Sequence, residues 1–240
     1  MIVALLIGRE GSTGYPGKNT ALVLGKPLAT YPLHAAVSAP SVNYIFMSTD
    51  SPALKHLAQQ YRAQVIDRPA HLCTDAALGE DVVLHGYRYL TETLGLPVKY
   101  LVLLLCNSPT ITGHTIETGI AALDADETLD SAITVSRYNM WSPLRARKIV
   151  DGLLQPFVPF ETFGDPAMLS CDRDSQGDVW FADMGMSIMR PRCFVQMEYG
   201  LLPQRWMGQR IAPIKQEAGL DIDYAWQVPQ AEWWLEAHGF

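Results

Sequence analysis

The chain has 240 residues, 48% apolar and 18% charged, with a formal charge of −7. That length buries a substantial core, and an acidic balance without an extended basic footprint excludes nucleic acid or an anionic membrane as the main partner. Its four cysteines, Cys73, Cys106, Cys171 and Cys193, show no Cys-x-x-Cys spacing, and its six histidines form no zinc pattern, so a reduced, cytoplasmic setting is expected. The N-terminus is apolar at once, with neither a basic leader nor a small-residue cleavage site, and the longest later apolar run, Leu101 to Cys106, is too short to span a bilayer.

In chain order, Ile2–Ile7, Tyr44–Ser48, Val65–Ile66, Leu101–Cys106 and Ala132–Ser136 read as short strands. Tyr31–Ser38, Pro52–Arg62, Glu80–Leu94 and His114–Ala125 read as the helices between them. The alternation predicts an α/β fold: a Rossmann-like, mainly parallel sheet with helices on both faces and ligands beyond the carboxyl ends of the strands. After Arg137 the rhythm breaks. Residues 138–180 are rich in proline, glycine and aromatics and read as an excursion within a single domain spanning 1–240. Regular structure is expected again at Ala182–Met189, at a strand over Ile211–Asp223 and at a closing helix from Pro229 to His238.

The first strand runs into Gly8-Arg9-Glu10-Gly11-Ser12-Thr13-Gly14-Tyr15-Pro16-Gly17-Lys18-Asn19. Glycines let backbone N–H groups converge on phosphate oxygens, and Arg9 and Lys18 add full positive charge, so this loop is expected to hold a chain of phosphates. It is not a Walker loop, because five residues separate Gly11 from Gly17 and Asn19 stands where the Mg²⁺-binding hydroxyl belongs. Nor does it contain the Gly-x-Gly of dinucleotide loops.

Other chemistry-bearing residues sit at expected strand ends. Asp221 and Asp223 flank Ile222, and a strand would put both carboxylates on one side, where they either hold Mg²⁺ or cap the strand. Asn107 and Ser108 precede Pro109 and either bond substrate or close their strand. Arg68 precedes Pro69 and is therefore extended. Arg137, Arg145, Arg147 and Lys148 form the other concentration of positive charge, a solvated face or a grip for an anion.

The glycine loop, followed by Leu24-Gly25-Lys26-Pro27-Leu28, resembles the signature of the acylneuraminate cytidylyltransferases. Four further blocks stand in that family's order: Ser48-Thr49-Asp50, Arg68-Pro69-Ala70-His71-Leu72-Cys73-Thr74-Asp75, Leu103 to Pro109, and Asp221-Ile222-Asp223. The resemblance is weakest over about 138–210. It implies transfer of CMP from CTP to an acidic sugar, a nonulosonic or 2-keto-3-deoxy acid, with pyrophosphate released. It further implies catalysis by Arg9 and Lys18, nucleotide contacts from Gly8, Arg9, Gly11, Ser12, Lys18 and Asn19, and Arg68 and Asp75 near the cytidine. Asn107, Ser108, Arg137 and Arg145 would face the acceptor, Asp221 and Asp223 would hold Mg²⁺, and the excursion would carry homodimer contacts.

The chain departs from the family pattern at four places. Thr13 replaces a second loop lysine, Leu105 replaces a sugar-contacting glutamine, Asn107 replaces a threonine, and Gly79 replaces a small hydroxyl near the nucleotide. These leave open a sugar phosphate or phosphonate acceptor, GTP in place of CTP, or a non-catalytic relative that binds CTP or a CMP-sugar.

Overall fold

The computed structural model describes residues 1–11, 13–172 and 177–240. Ile2–Ile7 (β1) is apolar throughout and buried at its four central positions, which requires cover on both faces and puts it inside the sheet. The glycine loop follows and ends in a 3₁₀ turn at Lys18–Thr20. A two-stranded ribbon, Leu22–Val23 (β2) and Lys26–Pro27 (β3), turns through Leu24 and Gly25, both at positive φ.

The chain then alternates as the sequence predicts. Thr30–Val37 (α1), Tyr44–Thr49 (β4), Pro52–Gln60 (α2) and Gln64–Asp67 (β5) come first. Gly79–Arg88 (α3) follows and widens into a π-helical turn at Tyr89–Thr93. Tyr100–Leu105 (β6), Gly113–Ala125 (α4) and Ser131–Arg137 (β7) complete the first half. Beyond it lie Arg147–Val150 (β8), Leu153–Pro156 (β9), Trp180–Met189 (β10), Arg192–Val195 (α5), Ile211–Gln216 (β11) and Val228–Ala237 (α6).

Seven strands form one sheet in the order β11-β7-β10-β6-β1-β4-β5, with β10 antiparallel to both neighbours and every other pair parallel. The expected fold class is therefore the observed one. Period-two alternation divides the core into two layers. Leu6, Met47, Leu54, Leu104 and Ile116 pack on one face, and Leu5, Phe46, Val83, Leu103 and Met189 on the other. Register aligns the strand ends: Ile7 lies opposite Ser48 and Leu105, so Gly8 and Cys106 leave the sheet at one edge, beside Thr49 at the end of β4.

A third cluster sits beyond that edge. Val23, Leu28, Tyr31, Ile222, Trp234 and Leu235 pack together, joining the ribbon after the glycine loop to α1, to α6 and to the Asp-Ile-Asp segment. This cluster brings the two ends of the chain to one place.

Two local expectations change. The last strand does not reach Asp223; β11 stops at Gln216. Ala218 has φ +50, and at Gly219 a Cβ would fall 2.1 Å from the Gln216 amide, so the backbone leaves the sheet there. Within the excursion, β8 and β9 form a hairpin whose turn, Asp151-Gly152, has both residues at positive φ. Asp-Gly is the residue pair that a type I′ hairpin turn selects, a signal present in the sequence. The hairpin exposes Ile149, Leu153 and Leu154. Among the described residues, no helix is long and apolar enough to cross a membrane.

The contact of α3 with β1 is testable. A Cβ on Gly86 would lie 2.5 Å from a Leu5 methyl whose side chain is fully buried. Gly86→Ala should therefore destabilise the protein by about 1–3 kcal/mol through overpacking. A denaturant midpoint equal to wild type in urea titration would contradict that packing.

Candidate active site

The carboxyl edge of β1, β4 and β6 opens into a cleft of about 470 Å³. Its floor is the glycine loop, and its walls include Arg68, Thr74, Gly79, Leu105, Asn107, Asp223 and Tyr224. Residues scattered along the sequence thus converge where an open parallel sheet places its ligands.

The loop glycines serve different ends. A Cβ at Gly8 would lie 2.7 Å from the Cys106 sulfur, so this glycine lets β1 leave the sheet against β6. At Gly14 a Cβ would lie 2.8 Å from the Asp223 carbonyl, which is where the loop touches the C-terminal segment. Gly17 has φ +72 and caps the turn that presents Lys18. A Cβ at Gly11 would make only an ordinary contact, 3.5 Å from Arg9 Nη1. Ser12 lies outside the described residues.

Lys18 reaches across the cleft to Asp223, Nζ to Oδ1 at 2.5 Å, over a sequence separation of 205. Its side chain is 15% exposed and that of Asp223 53% exposed, so the ammonium faces the cleft interior while the carboxylate borders solvent. Arg9 pairs with Asp75 at the cleft mouth and also donates to the Cys73 carbonyl at 3.4 Å. Asn19 is buried and donates from Nδ2 to the Arg9 carbonyl at 3.0 Å, which ties the two ends of the loop together.

Arg68 is buried at the end of β5. Its Nη2 donates to the Ser48 carbonyl at 2.6 Å and its Nε to Ser48 Oγ at 3.2 Å. Burial pushes its pKa down, and among the described residues it forms no ion pair. Its charge lines the cleft with only neutral Ser48 acceptors and no carboxylate partner, so an anion is the chemistry this position suits. The Cys106 thiol beneath it is fully buried and pushed up to about 12, which makes it inert.

Asp221 and Asp223 are not in a strand, yet they do alternate about a buried Ile222. The Ile222 N–H donates to the Asn107 carbonyl at 2.8 Å, and the Asn107 side chain donates back to the Ile222 carbonyl at 3.0 Å. Asn107 lines the cleft, but its amide is spent on this bridge. Burial raises the Asp221 pKa; the nearby Asp223 charge adds to this and Lys18 opposes it, so the three groups share one field.

The remaining predicted acceptor residues lie off this cleft. Ser108 is fully buried and donates to the Met184 carbonyl at 3.2 Å, Arg137 pairs with Asp178 at 3.3 Å, and Arg145 donates to the Cys171 carbonyl at 3.0 Å. Instead, an apolar hollow of about 710 Å³ adjoins the cleft on the far side of the Asp-Ile-Asp segment. Asp221 lines it together with Tyr138, Trp141, Phe181, Trp226 and Trp233. The two C-terminal tryptophans were not singled out by sequence, because helix-spaced aromatics ordinarily mean core. Also missed was Asp183, a buried carboxylate near Asp221, whose one signal is a charge inside the otherwise apolar run of β10.

A glycine-floored cleft at the head of a mostly parallel sheet, lined by a lysine, a buried arginine and one acid of the Asp-Ile-Asp segment, goes with a Rossmann-like nucleotidyltransferase fold. The whole chain superposes on a CMP:2-keto-3-deoxy-manno-octonic acid synthetase complexed with CTP, with a TM-score of 0.69 at 16% identity over 100% of this chain and 99% of that one. A 4-diphosphocytidyl-2C-methyl-D-erythritol synthase superposes with a TM-score of 0.67 at 12% identity over 98% of both chains. Residues 3–85 match the cytidylyltransferase family. A stretch of 91 residues is 31% identical to the N-acylneuraminate cytidylyltransferase of Escherichia coli O18:K1:H7, covering 38% of this chain and 22% of that protein. Another of 64 residues is 42% identical to the CMP-N,N'-diacetyllegionaminic acid synthase of Legionella pneumophila, covering 27% and 28%. The chain thus spans under a third of the length of the curated relatives it matches. The segment that carries the glycine loop and the Arg-Pro motif matches the cytidylyltransferase family, in line with the resemblance to the acylneuraminate cytidylyltransferases read from the motifs.

The raised pKa of Asp221 has a stability consequence. A carboxylate that binds its proton more tightly when folded loses stability as pH rises through its folded pKa, and has that stability in full only below the unfolded value. Without added metal, Asp221→Asn should therefore raise the melting temperature at pH 7, and the gain should shrink as pH falls toward 4. Equal melting temperatures of the two proteins across that range would contradict the burial of this charge.

Proposed function

We propose that this chain is a Mg²⁺-dependent cytidylyltransferase that moves CMP from CTP to an acidic sugar and releases pyrophosphate. The reading is carried by one observation: Lys18 of the glycine loop and Asp223 meet across a single cleft, within a chain whose N-terminal segment matches the family. In the reaction an acceptor oxygen attacks the α-phosphorus in line, the bond to the bridging oxygen of the β-phosphate breaks, and pyrophosphate departs with the electron pair. Charge grows on phosphate oxygens as it does so. Arg9, Lys18 and the loop N–H groups would stabilise it by position and electrostatics.

Arg68, with Thr74 and Gly79, borders the part of the cleft toward α3 and would sit near the cytidine, with Asp75 orienting Arg9. Asp221 and Asp223 would hold the Mg²⁺. Their setting fits a hard cation, since two neighbouring carboxylates raise each other's affinity for positive charge and no third His, Cys, Asp or Glu among the described residues joins them, leaving the rest of the coordination to phosphate and water. When bound, the ion supplies charge neutralisation at the triphosphate.

The acceptor would approach from the aromatic hollow, because Asp221 borders it while Asp223 borders the nucleotide cleft. Cations of the excursion, Arg137 and Arg145, would then meet the acceptor carboxylate only by leaving Asp178 and the Cys171 carbonyl. The hairpin's exposed Ile149, Leu153 and Leu154 support a homodimer built on the excursion, and the four free cysteines fit a cytoplasmic setting.

A second acceptor class is favoured by Leu105, which puts an aliphatic wall in the cleft, and by Thr13, which leaves it one cation fewer. Release of pyrophosphate from CTP, GTP, UTP or ATP against nonulosonic acids, 2-keto-3-deoxy acids, sugar phosphates and phosphonates decides between them. With CTP and an acidic sugar, Lys18→Ala and Asp223→Ala should each cut kcat by roughly 10²–10³-fold, the scale of a lost transition-state donor, with circular dichroism unchanged. Near wild-type turnover in either variant sinks the mechanism, and CTP binding without turnover on every acceptor leaves a non-catalytic relative.

A further inference from the structure

Asp183 interrupts an apolar strand at the point where β10 bulges. Pairing with β7 shifts between Ala182 and Ser187, and Met184 takes φ +59. Asp183 is 6% exposed, and four hydrogen-bonding groups meet its carboxyl oxygens. Oδ1 accepts from Thr134 Oγ1 at 2.6 Å and from the Gly185 N–H at 3.1 Å; Oδ2 accepts from Ser136 Oγ at 2.7 Å and from Gln216 Nε2 at 2.8 Å. Each hydroxyl is tied in turn to backbone: Thr134 Oγ1 accepts from the Met186 N–H at 2.9 Å and lies 3.3 Å from the Met186 carbonyl, and Ser136 Oγ accepts from the Gly219 N–H at 2.9 Å. Four hydrogen bonds thus converge on one carboxyl group.

The donors come from three elements: the bulge of β10, the end of β7, and the backbone leaving β11. The last leads directly to the acids of the cleft. Gly219 is drawn so close that a Cβ would fall 2.4 Å from Asp183 Oδ2, and its carbonyl accepts from the Tyr138 hydroxyl at 2.8 Å. Leu220 is tied next, its N–H to Thr110 Oγ1 at 3.0 Å, and Ile222 after it to Asn107. Without the carboxylate, the first of these ties has nothing to pull Ser136 and Gln216 toward.

We propose that Asp183 is a positioning residue, an anionic post that fixes where the backbone turns out of β11 and so sets the spacing of Asp221 and Asp223 for a divalent cation. The proposal rests on the reading of that pair as the metal-holding acids. It assigns Asp183 no contact with substrate.

The test uses the full chain with CTP and Mn²⁺ as the probe, free ion being counted by electron paramagnetic resonance. Asp183→Asn keeps the shape but turns one acceptor into a donor facing donors. Its Mn²⁺ dissociation constant should rise by roughly tenfold or more, the scale seen when a supporting shell is removed, and the Mg²⁺ activation constant should rise in step while KM for CTP at saturating metal holds. A lower melting temperature with an unchanged Mn²⁺ constant reduces Asp183 to a purely structural brace and overturns the proposal. Asp223→Asn is measured alongside. If it loses Mn²⁺ while Asp183→Asn does not, the positioning role alone falls; if Asp223→Asn binds Mn²⁺ as wild type does, the metal reading falls and takes the proposal with it. Should Asp183→Asn fail to fold, Ser136→Ala removes one donor, keeps the carboxylate, and is judged by the same Mn²⁺ constant, an unchanged value overturning the proposal.

Discussion

The two-way bridge between Asn107 and Ile222 is the constraint on which the cleft depends. One backbone N–H and one side-chain amide tie the C-terminal segment to the end of β6, and Ile222 is sealed into the cluster formed by the ribbon, α1 and α6. With the middle residue fixed twice over, its neighbours have little choice. Alternation about a buried residue turns both Asp221 and Asp223 out of the core on one side, Asp223 on the wall of the cleft and Asp221 where the cleft adjoins the hollow. An acid at the far end of the chain can then meet a lysine in its first loop with no flexible reach on either side.

The same bridge gives Asn107 a different character from the one its sequence position implies. An amide at a strand end beside a ligand cleft is chemically suited to bind substrate, yet here both its hydrogen-bonding edge and its backbone carbonyl serve the framework. Asn19 behaves alike, closing the glycine loop on itself through the Arg9 carbonyl. Buried amides have four bonds to place and few places to put them, so they tend to be claimed by backbone before ligand.

The sheet was legible in the sequence because its signal is local. Short apolar runs separated by helix-period segments require parallel pairing and crossovers, and five strands and four helices fall within a residue or two of their expected bounds, apart from the turn that widens α3. The glycine loop and the acids were legible as residue types in an order. What was not legible was produced by tertiary contact. The early end of β11 depends on a close approach at Gly219, the role of Asp183 depends on three elements converging, and the aromatic hollow draws its tryptophans from both the excursion and the start of α6. The hairpin turn at Asp151-Gly152 is the exception, since its pair of residues announces it. A proline- and aromatic-rich surrounding masked a local rule.

The contact of Lys18 with Asp223 also determines the order in which charge moves through the cleft. The lysine's positive end is already balanced by the chain's own acid, so the gate is electroneutral and offers a lone anion only a modest pull. A polyanion that takes the lysine leaves a stripped carboxylate behind, and a divalent ion that takes the carboxylate leaves a stripped ammonium. Neither exchange is comfortable alone. Under the proposed function both would be satisfied if the polyanion and the divalent ion entered together and the old partners separated in one swap, so the resting contact would favour complexed over bare nucleotide.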